Sequence, residues 1–251
     1  MKAVITGASS GIGMDMARVL SKMGYDLIIT ARREDRLSAL ANELSTNVTV
    51  IPADLSSPES CLEFFDKIKN EDFDFAINNA GFGLFGGFDK TDLDAELNMI
   101  GLNINAVHIL TKKFVEYFED RQGGRILNVS SSAGLMPGGP LMATYYATKA
   151  YVNSLSLGIY EELRRKKSKT KISVLCPGPV NTEFNAVAGV SFALSGLDSY
   201  KTAKYAIKKA LKGKTIIIPG AAIKAGYFLN RLAPKKLALR VAYKIQHRKN
   251  G

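Results

Sequence analysis

Tyr145 and Lys149 stand four residues apart in the run Thr144-Tyr145-Tyr146-Ala147-Thr148-Lys149. On a helix, positions i and i+4 share a face, so the lysine ammonium comes beside the phenol and favours its ionised form. That would make the tyrosine a usable acid near neutral pH. Far upstream the chain opens with a turn of small residues, Thr6-Gly7-Ala8-Ser9-Ser10-Gly11-Ile12-Gly13, set between an apolar strand and a helix. In that setting Gly7 permits the tight bend, Gly11 lets backbone amides approach a pyrophosphate, and Gly13 lets the helix pack close to its strand. The helix N-terminus that follows favours an anion. A dinucleotide seat and an acid together imply hydride transfer to or from a carbonyl carbon. The glycine spacing is G-x-x-x-G-x-G rather than G-x-G-x-x-G, so an ordinary strand-to-helix turn is the rival reading of this segment alone.

The second apolar strand ends Ile29-Thr30-Ala31-Arg32-Arg33. Many NAD sites place an acidic residue there, on the ribose hydroxyls. Ala31 removes the carboxylate that would repel a 2′-phosphate, and Arg32 and Arg33 offer planar forks suited to phosphate oxygens. NADP(H) is therefore expected in preference to NAD(H). The competing reading is that ARREDR opens a charged, solvated helix, which fits Arg36 best.

These residues need a frame. Apolar runs bounded by turn residues recur at AVI before Gly7 and at 26–30, 48–51, 73–77, 125–129, 171–175 and 215–218. They predict about seven strands. Helical patterns fall between them at 11–23, 34–44, 58–69, 91–120, 144–167 and 199–212, each long enough for a crossover. The runs are continuous rather than alternating, as in strands buried on both faces. The alternation predicts an α/β fold: a three-layer, Rossmann-type, doubly wound parallel sheet with helices on both faces. One catalytic and cofactor-binding domain is expected over 1–218, followed by a basic, helical extension over 219–251.

Composition excludes several classes. With 251 residues, 46% of them hydrophobic, the chain can build one sizeable core. Cys61 and Cys176 lie far apart without metal-ligand spacing, which argues against a disulfide framework or a zinc site and for a reduced compartment. A strand starting at Lys2 leaves no room for a signal peptide, and no apolar stretch reaches the length of a membrane span. A cytoplasmic chain is expected, with no metal. The formal net charge of +11 is concentrated at one end: 14 of the 34 Lys and Arg fall within 201–251, a stretch without Asp or Glu. The first 200 residues carry the other 20 against 23 acids, net −3. No aromatic-rich recognition motif accompanies the basic tail, so nucleic acid is not an expected partner.

Thr6–Gly13, Asn78-Asn79-Ala80-Gly81, the Tyr145/Lys149 pair and Pro177-Gly178 resemble, in order and spacing, the short-chain dehydrogenase/reductase family, over about residues 2–183. The resemblance implies a carbonyl/alcohol oxidoreductase with Tyr145 as proton donor and Lys149 beside it, holding the nicotinamide ribose. It implies a cofactor bound by Gly7, Ser9, Ser10, Gly11, Ile12, Gly13, Asn79, Ala80, Gly81, Pro177 and Gly178, with Val180 and Thr182 on the carboxamide. It places Asp54 against the adenine, although Asp54 by residue chemistry could equally cap the helix starting near Pro58. The serine of the family's site falls on Ser132 if counted back from Tyr145, and on Ser131 if the NVSSxAG pattern is matched directly. A residue inserted in Pro137-Gly138-Gly139-Pro140 reconciles the two in favour of Ser131, because loops absorb insertions. The family's asparagine matches Asn103, with Asn105 as neighbour, and is expected to hold a proton-relaying water. Tyr146 is read as packing, and His108 and His247 have no assigned role.

Substrate choice is expected from 184–212 and the tail. The apolar segment FNAVAGVSFALSGL resembles a lid over a hydrophobic ligand. A ketone, aldehyde or acyl-type compound is implied, apolar and small or medium in size, with a bulky one also within reach. The tail over 221–251 mixes apolar residues with Lys and Arg at helical spacing, which suits an anionic membrane surface. Helices at 91–120 and 144–167 resemble those through which family members form homodimers or homotetramers. The alternative to an enzyme is an NADP-binding regulatory or scaffold protein without turnover.

Overall fold

The computed structural model describes residues 1–189 and 196–247. Its seven strands are β1 (Lys2–Thr6), β2 (Asp26–Thr30), β3 (Val48–Val50), β4 (Phe75–Asn78), β5 (Arg125–Val129), β6 (Lys171–Leu175) and β7 (Ile216–Ile217). They form one sheet of order β3-β2-β1-β4-β5-β6-β7, and every neighbouring pair is parallel. After β3 the chain returns past β1 to lay down β4 on its other side. The carboxyl ends of β1 and β4 therefore feed connections that diverge in opposite directions, and a crevice opens between them.

Helices cover both faces, which is why the strands read as continuous apolar runs. On one side lie α1 (Gly11–Lys22), α2 (Glu34–Glu43) and, after the short α7 (Phe184–Val187), α8 (Ser199–Leu211), with Met16, Leu20, Leu37, Leu40 and Ile207 buried against Ile5, Ile29 and Ile77. On the other lie α3 (Pro58–Ile68), α5 (Val107–Asp120) and α6 (Ala143–Arg165), burying Phe64, Phe114, Phe118 and Leu163 against Val4, Ile28 and Ile126.

The helix expected over 91–120 is interrupted. It starts as α4 (Leu93–Ile100), where Asp92 accepts a hydrogen bond from the Ala95 amide at 2.8 Å. It then widens into a π-helical segment, Gly101–Ala106, before continuing as α5. A Cβ on Gly101 would stand 2.5 Å from the Ser56 carbonyl oxygen, so only glycine allows the segment to press this closely on the loop before α3. Such widened turns are frequent at functional sites because they redirect side chains inward. The N-terminus of α3 is capped by Ser57, whose hydroxyl accepts from the Ser60 amide at 3.2 Å, and not by Asp54. Other boundaries differ from the sequence reading by a residue or two.

The basic extension forms α9 (Ala221–Leu232) and α10 (Lys235–His247). They are separated at Ala233, which is extended because the following Pro234 disfavours helical backbone before it. Both fold back on the domain: Ile223 and Tyr227 of α9 pack beside Val174, Cys176 and Ile218, and Gln246 of α10 donates to the Tyr146 hydroxyl at 2.7 Å.

Candidate active site

The turn after β1 can be built only with glycine at its key positions. Gly7 and Gly11 lie in the left-handed region, at φ +68° and +55°, and a Cβ on Gly7 would stand 2.7 Å from the Ala80 Cα. The turn after β4 grips it. Thr6 Oγ1 accepts from the amides of Asn79 (3.0 Å) and Ala80 (3.1 Å), while Asn79 Nδ2 donates to the carbonyls of Thr6 (3.0 Å) and Gly7 (3.1 Å). Ser10, the N-cap of α1, makes no side-chain hydrogen bond to the first-turn amides, and that turn contains no acid. The helix start is thus left open to an exogenous anion.

A cleft of about 380 Å³ runs from this turn along the carboxyl ends of the strands. Its walls include Gly7, Ser9, Ser10, Gly11, Ile12, Arg32, Arg33, Asp54, Asn79, Ala80, Gly81, Ser131, Tyr145, Lys149, Pro177, Gly178, Val180 and Thr182. Gly13 and Asn103 are not in the wall; they stand behind it. Asn103 is fully buried, its Nδ2 donating to the Phe82 carbonyl (2.8 Å) and to Thr148 Oγ1 (3.0 Å), its Oδ1 accepting from the Phe82 amide (3.1 Å). Its side chain ties the π-helical segment to the Gly81-Phe82 strand end and to α6.

At the inner end, Ser131 stands beside the Tyr145 hydroxyl, and the tyrosine ring lies 5.5 Å from that of Phe184. The neighbouring serines also line the cleft. Ser130 donates to the Lys149 carbonyl at 2.8 Å, and the Ser132 amide donates to the Pro177 carbonyl at 2.7 Å as the first residue of a short 3₁₀ turn, Ser132–Leu135. Lys149, 4% exposed, donates from Nζ to the Val129 carbonyl at 3.0 Å, with Nζ 6.0 Å from the Tyr145 ring centre.

The electrostatics differ from the expectation drawn from spacing. Burial pushes the Tyr145 phenol up to about 12, with Ser131's hydrogen bond pulling the other way, and burial pulls the Lys149 ammonium down to about 8. Desolvation disfavours the charged form of each. The Tyr145 phenol is accordingly protonated at neutral pH.

At the outer end Asp54 accepts from the Ser56 amide at 3.1 Å, leaving a carboxylate oxygen toward the cleft it lines. Arg33 donates from Nε and Nη2 to Ser9 Oγ at 3.3 and 3.2 Å, and Arg32 lies exposed at the rim. Among the wall residues given no individual role in the sequence reading are Phe82, Met142, Glu183 and Phe184. The apolar character of FNAVAGV was the signal for Phe184. Nothing in the sequence marked Phe82 or Met142, which the loops after β4 and β5 bring in. The proposed lid lies partly in 190–195, outside the described residues. Among the described residues no cluster of His, Cys, Asp and Glu could hold a metal.

A glycine turn that a side chain would fill, an open helix start and a guanidinium fork fit a nicotinamide dinucleotide, and the cleft and sheet together define a dinucleotide-dependent oxidoreductase. The comparison with known proteins narrows the class. The short chain dehydrogenase profile matches residues 1–190. Human 17-beta-hydroxysteroid dehydrogenase type 3 is 30% identical over 220 residues, covering 85% of this chain and 68% of that protein. The 3-oxoacyl-[acyl-carrier-protein] reductase FabG of Rickettsia prowazekii is 31% identical over 184 residues, covering 72% and 73%. A short-chain dehydrogenase from Sphingobium yanoikuyae, solved in complex with NADPH, superposes with a TM-score of 0.82 at 29% identity over 94% of both chains. The chain belongs to the short-chain dehydrogenase/reductase family and is an oxidoreductase acting on CH–OH groups with a nicotinamide dinucleotide.

Proposed function

We propose that this chain is an NADP(H)-dependent enzyme that interconverts an apolar ketone and its secondary alcohol. The observation that carries the reading is the convergence of Ser131, Tyr145 and Lys149 on one wall of the cleft that the glycine turn opens. Gly7, Ser9, Gly11 and Ile12 would hold the pyrophosphate side, Asp54 the adenine, Arg32 and Arg33 the 2′-phosphate, and Val180, Thr182 and Lys149 the nicotinamide riboside. When bound, the reduced nicotinamide supplies the hydride. Ser131 orients the carbonyl by donating to its oxygen, and Tyr145 protonates that oxygen as negative charge develops on it. Asn103 keeps this geometry by fixing Phe82 and Thr148 on either side of the acid. In the alcohol-oxidation direction Tyr145 must lose its proton, and Lys149 is the nearby group whose charge would ease that loss.

The substrate side is apolar. Phe82, Met142, Tyr145 and Phe184 pack with Leu84, Phe85 and Ala188 around the space in front of the phenol. With a hydroxysteroid dehydrogenase and a 3-oxoacyl-[acyl-carrier-protein] reductase among its relatives, a medium or bulky ketone is the substrate class. The test mixes the protein with NADPH or NADH and a panel of aliphatic ketones, aromatic ketones, a 17-ketosteroid and a 3-oxoacyl thioester, following loss of reduced nicotinamide. Turnover of at least one apolar ketone is expected, faster with NADPH by about tenfold or more, the value of a charge-assisted phosphate contact. Tight NADPH binding without turnover across the panel would instead favour a regulatory role, and a preference for NADH would overturn the cofactor assignment.

The tail supports contact with an anionic membrane surface. Phe228, Leu229 and Leu232 on α9 are 64%, 65% and 72% exposed, opposite the face carrying Ile223 and Tyr227, and they are flanked by Lys224 and Arg231. No described helix is long and apolar enough to cross a membrane, so the contact would be peripheral. Co-sedimentation is expected with vesicles rich in phosphatidylserine, weak with phosphatidylcholine alone, and lost when Phe228, Leu229 and Leu232 are all replaced by Ser. Equal pelleting of that variant would remove the tail from the explanation.

A further inference from the structure

Glu183 follows Thr182 on the loop leaving β6, yet its carboxylate reaches the opposite wall of the cleft. Its Oε2 accepts from Arg33 Nη1 at 3.0 Å and its Oε1 pairs with Arg36, while Arg33 turns Nε and Nη2 on Ser9 Oγ. Arg36 is therefore not simply a solvated helix residue. Two guanidinium groups converging on one oxyanion at the mouth of a dinucleotide cleft, one of them held by a serine hydroxyl, is the donor set of a phosphate site. All three charged side chains are part-exposed, so the pairing is open to exchange with solvent and with a competing anion.

We propose that Glu183 is the resident counter-anion of the phosphate subsite, that the 2′-phosphate of NADP(H) displaces it from Arg33 and Arg36, and that Glu183 thereby sets how strongly the enzyme prefers the phosphorylated cofactor. The inference rests on the NADP(H) reading above. A phosphate monoester carries more charge and more acceptor oxygens than a carboxylate, so it wins the two arginines. Glu183 is then an unpaired carboxylate beside a dianion, which lowers the affinity for 2′-phosphorylated ligands relative to a neutral residue at this position. Ligands lacking the 2′-phosphate leave the Glu183 pairing in place and do not sense it.

The experiment compares 2′,5′-ADP with 5′-AMP by titration calorimetry, and NADPH with NADH by nicotinamide fluorescence, in the wild-type protein, Glu183→Gln and Arg36→Gln. Glu183→Gln is expected to bind 2′,5′-ADP and NADPH about tenfold more tightly, with 5′-AMP and NADH within about twofold of wild type, as one removed like charge predicts. Arg36→Gln is expected to weaken 2′,5′-ADP several-fold and to leave 5′-AMP unchanged. A wild-type protein that binds 5′-AMP as tightly as 2′,5′-ADP would bring down the NADP(H) reading and this inference with it. Wild-type discrimination that survives Glu183→Gln unchanged, or weaker 2′,5′-ADP binding in that variant, overturns the role of Glu183 alone. A change shared equally by both ligand pairs would mark a general structural role and overturn it too.

Discussion

Tyr145→Phe is expected to cut turnover by about a thousandfold or more while leaving NADPH affinity within about twofold, the signature of losing a positioned proton donor. The substitution removes one oxygen from a ring held by Phe184 and by the cluster of Met99, Ala133 and Met142, so the packing that places the nicotinamide side of the cleft survives. Ser131 keeps its other partner, the Ala133 amide at 3.1 Å, and stays oriented. With the phenol pushed up to about 12, the wild-type group is protonated throughout the neutral range, so the loss should be uniform across that range in the reducing direction. Single-turnover oxidation of enzyme-bound NADPH by a ketone found in the panel is the measurement. Turnover near the wild-type rate would move the donor elsewhere, with Tyr146 the first residue to test.

The second large effect is steric. A Cβ on Gly13 would lie 2.3 Å from Asn79 Nδ2 and 2.4 Å from the Gly7 carbonyl oxygen, atoms that are already hydrogen-bonded to each other. Neither is the loose end of a flexible chain, so Gly13→Ala must push α1 away from the turn or break the Asn79 grip. Either outcome displaces the amides at Gly11 and Ile12 that line the proposed cofactor cleft. The expected result is a loss of stability of about 1–3 kcal/mol, the usual cost of overpacking, and a fall in NADPH affinity of at least about tenfold. Denaturant unfolding and NADPH titration measure the two separately. Gly158→Ala in α6, where an added Cβ meets nothing within 4 Å, is the matched control and should affect neither. Unchanged binding in Gly13→Ala would mean that the close approach of α1 to the turn does not position the cofactor.

These two residues were readable in the sequence for different reasons. Gly13 belongs to a turn whose function is backbone geometry, and backbone geometry is written in glycines. Tyr145 and Lys149 announce themselves by spacing on one helix. Their ionisation is another matter, because it depends on burial, and the residues that bury Tyr145 come from Phe82, Met142 and Phe184 on three separate connections. Strand existence was legible because strands covered on both faces must be apolar throughout. The π-helical segment was not, since it packs at Gly101 on the Ser56 carbonyl of a loop far earlier in the chain, a contact that helical periodicity does not carry. Which of three successive serines touches Tyr145 depends on how β5 ends against Pro177, a contact across the sheet. Glu183 was illegible for the same reason: its partner Arg33 lies 150 residues away.

The donation from Gln246 to the Tyr146 hydroxyl puts the last turn of α10 one peptide unit from the proton donor. Ile223 meanwhile seats against Gly178, where a Cβ would come within 2.6 Å of it. The last described helices thus brace the cleft from behind, one at Gly178 and the other on the helix that carries Tyr145, so a substitution on either bears on the walls of the cleft as well as on the outer surface.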